Sequence, residues 1–156
     1  MNKNLLFAAA LCCASEAKSE DLIWSSPMIL SEGAISVSAP PEPRMEIDGS
    51  GNAYAIWSEV GTIKFKTKPF GDGWSASTTL AAMSRNPRIH VDSNGNATVF
   101  WITGTTLNTA ARPAGGSFGA PTALAPTALQ AEIAGDVNGN LVAVWTTPAG
   151  VQSQPT

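Results

Sequence analysis

Short apolar runs alternate with glycine- and asparagine-rich turns along most of this chain, and three of them share one pattern. PRMEIDGSGNAYAIW spans 43–57, PRIHVDSNGNATVFW spans 87–101 and AEIAGDVNGNLVAVW spans 131–145. They align without gaps. Asp48, Asp92 and Asp136 stand 44 residues apart, and so do Gly51, Gly95 and Gly139. The same spacing holds for Asn52, Asn96 and Asn140, and for Trp57, Trp101 and Trp145. Residue types recurring in register at a fixed period mark a repeat architecture.

The apolar run in each repeat does not alternate. AYAIW, ATVFW and LVAVW are apolar at successive positions, whereas a strand open to water on one face alternates with a period of two. A continuous apolar strand is expected to be buried on both faces. Asn94-Gly95 and Asn138-Gly139 read as type I′ hairpin turns with both central residues at positive φ, and Ser50-Gly51 as a weaker version. These turns join strand A (Met45–Asp48, Ile89–Asp92) to strand B (Ala53–Trp57, Ala97–Trp101, Leu141–Trp145). Strand C follows at Thr62–Lys68 and Thr106–Arg112, with a third starting at Val151. A glycine-rich turn then places Trp74 and Phe118 in register, and strand D ends near Leu80 and Leu124.

Four short antiparallel strands in about 40–50 residues, the second buried on both faces, fit a β-propeller blade. The expected fold class is all-β, with about three propeller-type blades in a partial or oligomer-completed propeller. A β-sandwich also has regularly spaced turns, but does not need strict self-similarity at 44 residues.

At Asp-x-x-Gly-Asn the repeat resembles the NHL and related bacterial propeller repeats. IDGSGNAYAIW, with Tyr54 two residues after Asn52, is the closest segment, and the resemblance covers about residues 23–154. It departs from NHL repeats at Trp57, Trp101 and Trp145, where those carry Asp, so it is to the blade class rather than one family. In the sialidase-type Asp box the Asp, Gly and Trp are closer together than here. The resemblance implies a propeller fold and, by analogy, a binding role.

The expected organisation is a signal peptide at 1–17, then strand D of a terminal blade with a proline-rich linker at 18–43. Repeats follow at 44–86 and 87–130, with an incomplete one at 131–156. The lone strand D is read from Ile23-Trp24-Ser25, which matches Gly73-Trp74-Ser75. Three blades do not readily close a ring, since propellers use about four to eight. The chain is therefore expected to be a piece of a longer propeller, or half of a six-bladed homodimeric ring. In that ring each N-terminal strand D completes the partner's last blade. Either way an isolated copy leaves two apolar faces open.

Composition narrows the function classes. Of the 156 residues, 44% are hydrophobic and only 13% charged, against disorder, and the formal net charge is −3 with no basic face, against nucleic-acid binding. Lys3, the apolar run 5–14 and Ser15-Glu16-Ala17 form a signal peptide, which predicts export. A buried N-terminal helix is the alternative. Both cysteines, Cys12 and Cys13, fall inside this signal. Lipidation is not expected, because Leu11 and Cys12, not small residues, precede them. No later segment is long enough for a transmembrane helix.

The Asp and Asn residues of the turns raise the question of calcium. The EF-hand pattern needs glycine at loop position 6 and a closing bidentate Glu, and neither is present, so no metal and no cofactor is expected. Asp48, Gly51, Asn52, Asp92, Gly95, Asn96, Asp136, Gly139 and Asn140 are read as structural turn residues, the Asp accepting backbone N–H groups. Trp57, Trp101 and Trp145 are read as core. Trp24, Trp74 and Phe118, placed on outer strand D, are the candidates for stacking on a ligand. His90 is in phase with Glu46 and Ala134, on the strand that lines a propeller's channel, so His90 and Glu46 are candidate ligand contacts. No G-x-S-x-G, P-loop or G-x-G-x-x-G segment occurs. The expected function is that of an exported, non-enzymatic scaffold for a protein or glycan ligand. The alternatives are a propeller lectin using the outer aromatics, and a piece of a larger propeller hydrolase or oxidoreductase.

Overall fold

The computed structural model describes residues 26–31 and 42–155. The segment expected to be a signal peptide, both cysteines and Trp24 lie outside the described residues. Those residues contain no helix. They form eleven strands in three antiparallel sheets. Sheet 1 is β1 (Arg44–Ile47), β2 (Ala53–Glu59), β3 (Thr62–Lys68) and β4 (Thr78–Ala81), hydrogen-bonded in that order. Sheet 2 repeats it with β5 (Ser84–Val91), β6 (Ala97–Thr103), β7 (Thr106–Arg112) and β8 (Thr122–Ala125). Sheet 3 has β9 (Gln130–Gly135), β10 (Leu141–Thr147) and β11 (Gly150–Pro155), with β10 in the middle. β5 starts earlier than the repeat predicts, because it absorbs a bulge. Its register shifts between Arg85 and Arg88, around Asn86 at φ 56° and Pro87, which has no N–H to give the ladder.

Two apolar layers hold the sheets together. Tyr54, Ile56, Ile63 and Phe65 of sheet 1 pack against Ile89, Val91, Val99 and Trp101 of sheet 2. Phe100, Ile102 and Leu107 of sheet 2 pack against Ala131, Leu141, Ala143 and Trp145 of sheet 3. β6 is thus buried on both faces, which is why its run cannot alternate.

β10 departs from that expectation. Leu141, Ala143 and Trp145 are buried against sheet 2, but Val142 and Val144 are 46% and 38% exposed. The run LVAVW is apolar at each step, yet only one of its faces is covered.

The turns also differ from the type I′ reading. Gly51, Gly95 and Gly139 have φ of 82°, 85° and 87°, while Asn94 and Asn138 are not in the left-handed region. Each loop is one step longer than a two-residue hairpin. Asp48 N donates to Asn52 O at 3.0 Å and Gly51 N to Asp48 O at 3.1 Å, and both bonds recur in the other two loops. One glycine at positive φ suffices for such a loop.

Candidate functional site

The polar turn residues are occupied with one another. Asp48 Oδ1 accepts from the N–H groups of Ser50 and Asn52, both at 2.9 Å, and Oδ2 accepts from Asn52 Nδ2 at 2.8 Å. Asp92 and Asp136 make the equivalent bonds to residues 94 and 96, and to 138 and 140. The Asn side chain then reaches outward: Asn52 Oδ1 accepts from Phe70 N, and Asn96 Oδ1 from Ala114 N. The Asp orders the A–B turn, and in sheets 1 and 2 the Asn ties it to the C–D turn. No group of three or more His, Cys, Asp or Glu that could hold a metal occurs among the described residues.

These bonds favour the ionised carboxylates. Burial raises the Asp48 carboxyl, but bonds from Asn52, Tyr54 and Ser50 outweigh it and hold it below its ordinary value. Asp92 and Asp136 are lowered mainly by the side chains of Asn96 and Asn140. Glu132 is lowered by its bond from Arg88. A carboxylate depressed on folding stabilises the protein above its unfolded pKa and loses that contribution as pH falls through the folded one. The melting temperature is therefore expected to fall steeply below about pH 4. A thermal scan against pH checks this, and a melting temperature that is flat or rising from pH 4 to 2.5 contradicts it.

The first strands of sheets 1 and 2, β1 and β5, bring Glu46 and His90 together. Glu46 Oε2 lies 3.4 Å from His90 Nδ1 and accepts from Val91 N at 2.8 Å. His90 Nε2 lies 3.0 Å from Asp136 O, so both ring nitrogens face protein atoms. Ala134, in phase with them, is exposed.

One step along, Arg88 is buried and grips Glu132 with two bonds, Nε to Oε2 at 2.7 Å, while Nη1 lies 3.3 Å from Glu42. Burial lowers the Arg88 pKa, but the two carboxylates outweigh it and the net shift is upward. The sequence reading passed over this pair, although Arg88 and Glu132 are opposite charges one repeat apart.

The outer aromatics separate. Trp74 and Phe118 are in the loops before β4 and β8 rather than on strand D, because pairing with β3 and β7 begins only at Thr78 and Thr122. Trp74 is half-buried. Phe118 packs edge-on against Phe65 of sheet 1, centroids 5.0 Å apart at 88°. Trp57, Trp101 and Trp145 are buried.

A cleft of about 490 Å³ opens beside Phe118, between β3–β4 of sheet 1 and β7–β8 of sheet 2. Its walls include Phe65, Phe118 and Trp101, hydroxyls of Thr67, Ser75 and Thr79, and Arg112. The Arg112 guanidinium lies 5.9 Å from the Tyr54 ring centre and 5.7 Å from that of Phe65, a cation–π arrangement. Its Nε donates to Gly116 O at 2.8 Å, and its Nη1 is buried with no hydrogen-bond partner. The sequence reading missed Phe65 and Arg112. Both lie on plain-looking C strands, and only their pairing with Phe118 across two sheets makes a cleft.

Comparison with known proteins found no matching family model, no matching curated protein and no matching solved structure.

Proposed function

We propose that this chain is an exported, non-enzymatic scaffold of propeller-type blades that binds a ligand in the cleft between sheets 1 and 2. The observation that carries this reading is the cleft itself. Its volume falls in the range of about 300–1,000 Å³ typical of ligand sites, and it combines aromatic walls with a few polar groups. The residues with catalytic potential are engaged elsewhere, since both His90 ring nitrogens meet protein atoms and the turn carboxylates serve the turns. The 44-residue period, the repeated strand order and the apolar stacking of the sheets support reading each sheet as a blade. The signal-like pattern of Lys3, the apolar run 5–14 and Ser15-Glu16-Ala17 supports the export reading.

Between a protein and a glycan ligand, the lining favours the glycan. The half-buried Phe118 ring can stack on a sugar ring, threonine and serine residues at the rim can exchange hydrogen bonds with sugar hydroxyls, and Arg112 suits a carboxylate-bearing sugar. This keeps the lectin reading for Phe118 and moves it away from Trp74. An array of neutral and acidic glycans tests it, with titration calorimetry on the bound class. Acidic glycans are expected to bind, and Phe118→Ala and Arg112→Met each to weaken binding at least tenfold, about 1.4 kcal/mol. Binding to no glycan, or binding that both variants leave unchanged, refutes the reading.

A further inference from the structure

The three sheets stack by one rule. The front face of each sheet covers the back face of the next: Tyr54 and Ile56 face Val99 and Trp101, and Phe100 and Ile102 face Ala143 and Trp145. The fourth strand of each complete sheet joins the same core, through Leu80 and Ala81 in sheet 1 and Leu124 and Ala125 in sheet 2. A backbone ladder links the turns, with Gly49 N donating to Ser93 O at 3.2 Å and Ser93 N to Val137 O at 3.0 Å.

The rule leaves two faces open. Among the described residues sheet 3 has three strands, β11 is exposed throughout, and its front face leaves Val142, Val144 and Val151 open. At the other end, Ala55 and Trp57 on the back of sheet 1 border a largely apolar cavity of about 330 Å³. Leu30 and Ser31 line that cavity too. The segment PMILS, 27–31, follows Trp24-Ser25-Ser26 as STTLA, 77–81, follows Trp74-Ser75-Ala76, at an offset of 50 rather than 44 residues, so by this motif Leu30 and Ser31 correspond to Leu80 and Ala81. Leu30 and Trp57 line one cavity as Leu80 and Trp101 line another. Residues 27–31 carry a fourth-strand sequence but form no strand, and sheet 3 has an open edge at β11 among the described residues.

We infer that residues 27–31 of a second copy complete sheet 3, whose Val142 and Val144 then enter the cavity beside Ala55 and Trp57 of that copy. The pairing register follows from sheet 1, where Ile63, Lys64 and Phe65 face Ala81, Thr79 and Thr78. By phase, Val151, Gln152 and Ser153 face Ser31, Ile29 and Met28 of the second copy. Met28 and Ile29, 67% and 86% exposed in the single copy, gain a partner strand. The turn ladder continues as well. Val137 N and Gly49 O have no backbone hydrogen bond among the described residues, and the stacking rule brings them together across the two copies. The interface rests on the stacking rule, whereas closure after two copies rests on the propeller reading.

The test is light scattering after size-exclusion chromatography, joined to cysteine cross-linking. The full chain carries Cys12→Ser and Cys13→Ser, then Ile29→Cys with Gln152→Cys. A cross-strand pair sits at about the Cα separation a disulfide needs. A mass of two copies, a disulfide between copies only in the double-cysteine chain, and return to one-copy mass in Val144→Glu are expected. A cross-linked ladder of many copies supports the strand completion but contradicts the closed ring, and with it the propeller reading. A one-copy mass at tens of micromolar with no intermolecular disulfide overturns the inference, as does a disulfide formed within one chain.

Discussion

Replacing Trp101 by alanine is expected to destabilise the protein by about 3–5 kcal/mol, the range for deleting a buried aromatic side chain. Trp101 is 2% exposed, on β6 in the middle sheet. It belongs to the layer between sheets 1 and 2 with Ile56, Ile63, Phe65 and Val99, and Leu80 and Ala81 of β4 pack on that layer. The cost depends on how far the surroundings collapse into the space left. Here collapse is resisted, because the backbones on both sides belong to separate hydrogen-bonded sheets. The effect therefore belongs at the upper end. At about 2–4 °C per kcal/mol for a chain this size, the melting temperature should drop by roughly 6–20 °C. Urea unfolding monitored by far-UV circular dichroism measures the free energy directly. A loss under about 1 kcal/mol would show that sheet 1 slides in to fill the space and that the layer is not close-packed.

The second large effect is expected at Gly95, with Gly139 as its internal control. Both have positive φ, 85° and 87°, so alanine at either position carries a backbone cost of about 1–2 kcal/mol. Their surroundings differ. A Cβ at Gly95 would stand 2.7 Å from Tyr54 Oη and 2.9 Å from Asp48 Oδ2, which are hydrogen-bonded to each other at 2.9 Å. A Cβ at Gly139 would meet nothing closer than Asp92 Oδ2 at 3.5 Å. Gly95→Ala must separate the Tyr54–Asp48 pair, adding about 1–3 kcal/mol for a buried bond to a charged group. Its total is about 2–5 kcal/mol, against about 1–2 for Gly139→Ala. Parallel chemical denaturation of the two variants reads the difference. Equal losses would mean that Tyr54 swings aside freely and that the contact between turns is not tight.

The Gly95 contact also shows where sequence reasoning stops. The repeat locates the turn, and the Asp-x-x-Gly-Asn pattern says why an Asp and a Gly belong in it. That the turn of one sheet seats on the Tyr54–Asp48 pair of the preceding sheet is a contact between residues about 40 apart, and no local pattern encodes it. The type I′ expectation at Asn94-Gly95 failed for a related reason. The Asp92 carboxylate takes the N–H groups of Asn94 and Asn96, and that favours a longer loop with a single left-handed residue.

His90 and Glu46 were legible as a pair, because repeat phase puts them side by side on the first strands of adjacent sheets. The cleft was only half legible. Phe118 stood out as an in-register aromatic, but Arg112 and Phe65 did not, since nothing on a C strand marks which side chains will face a neighbouring sheet's loop.

By itself the sequence determined the first three strands of each unit and their order, the 44-residue period and the tryptophans Trp57, Trp101 and Trp145 that are buried. All follow from local periodicity and turn chemistry, which act over a few residues. Only the tertiary structure decided which apolar faces are covered. LVAVW and ATVFW read alike, yet β6 has a sheet on either side and β10 on one. Burial on a face depends on what lies across it, and that is a property of the stack rather than of the strand.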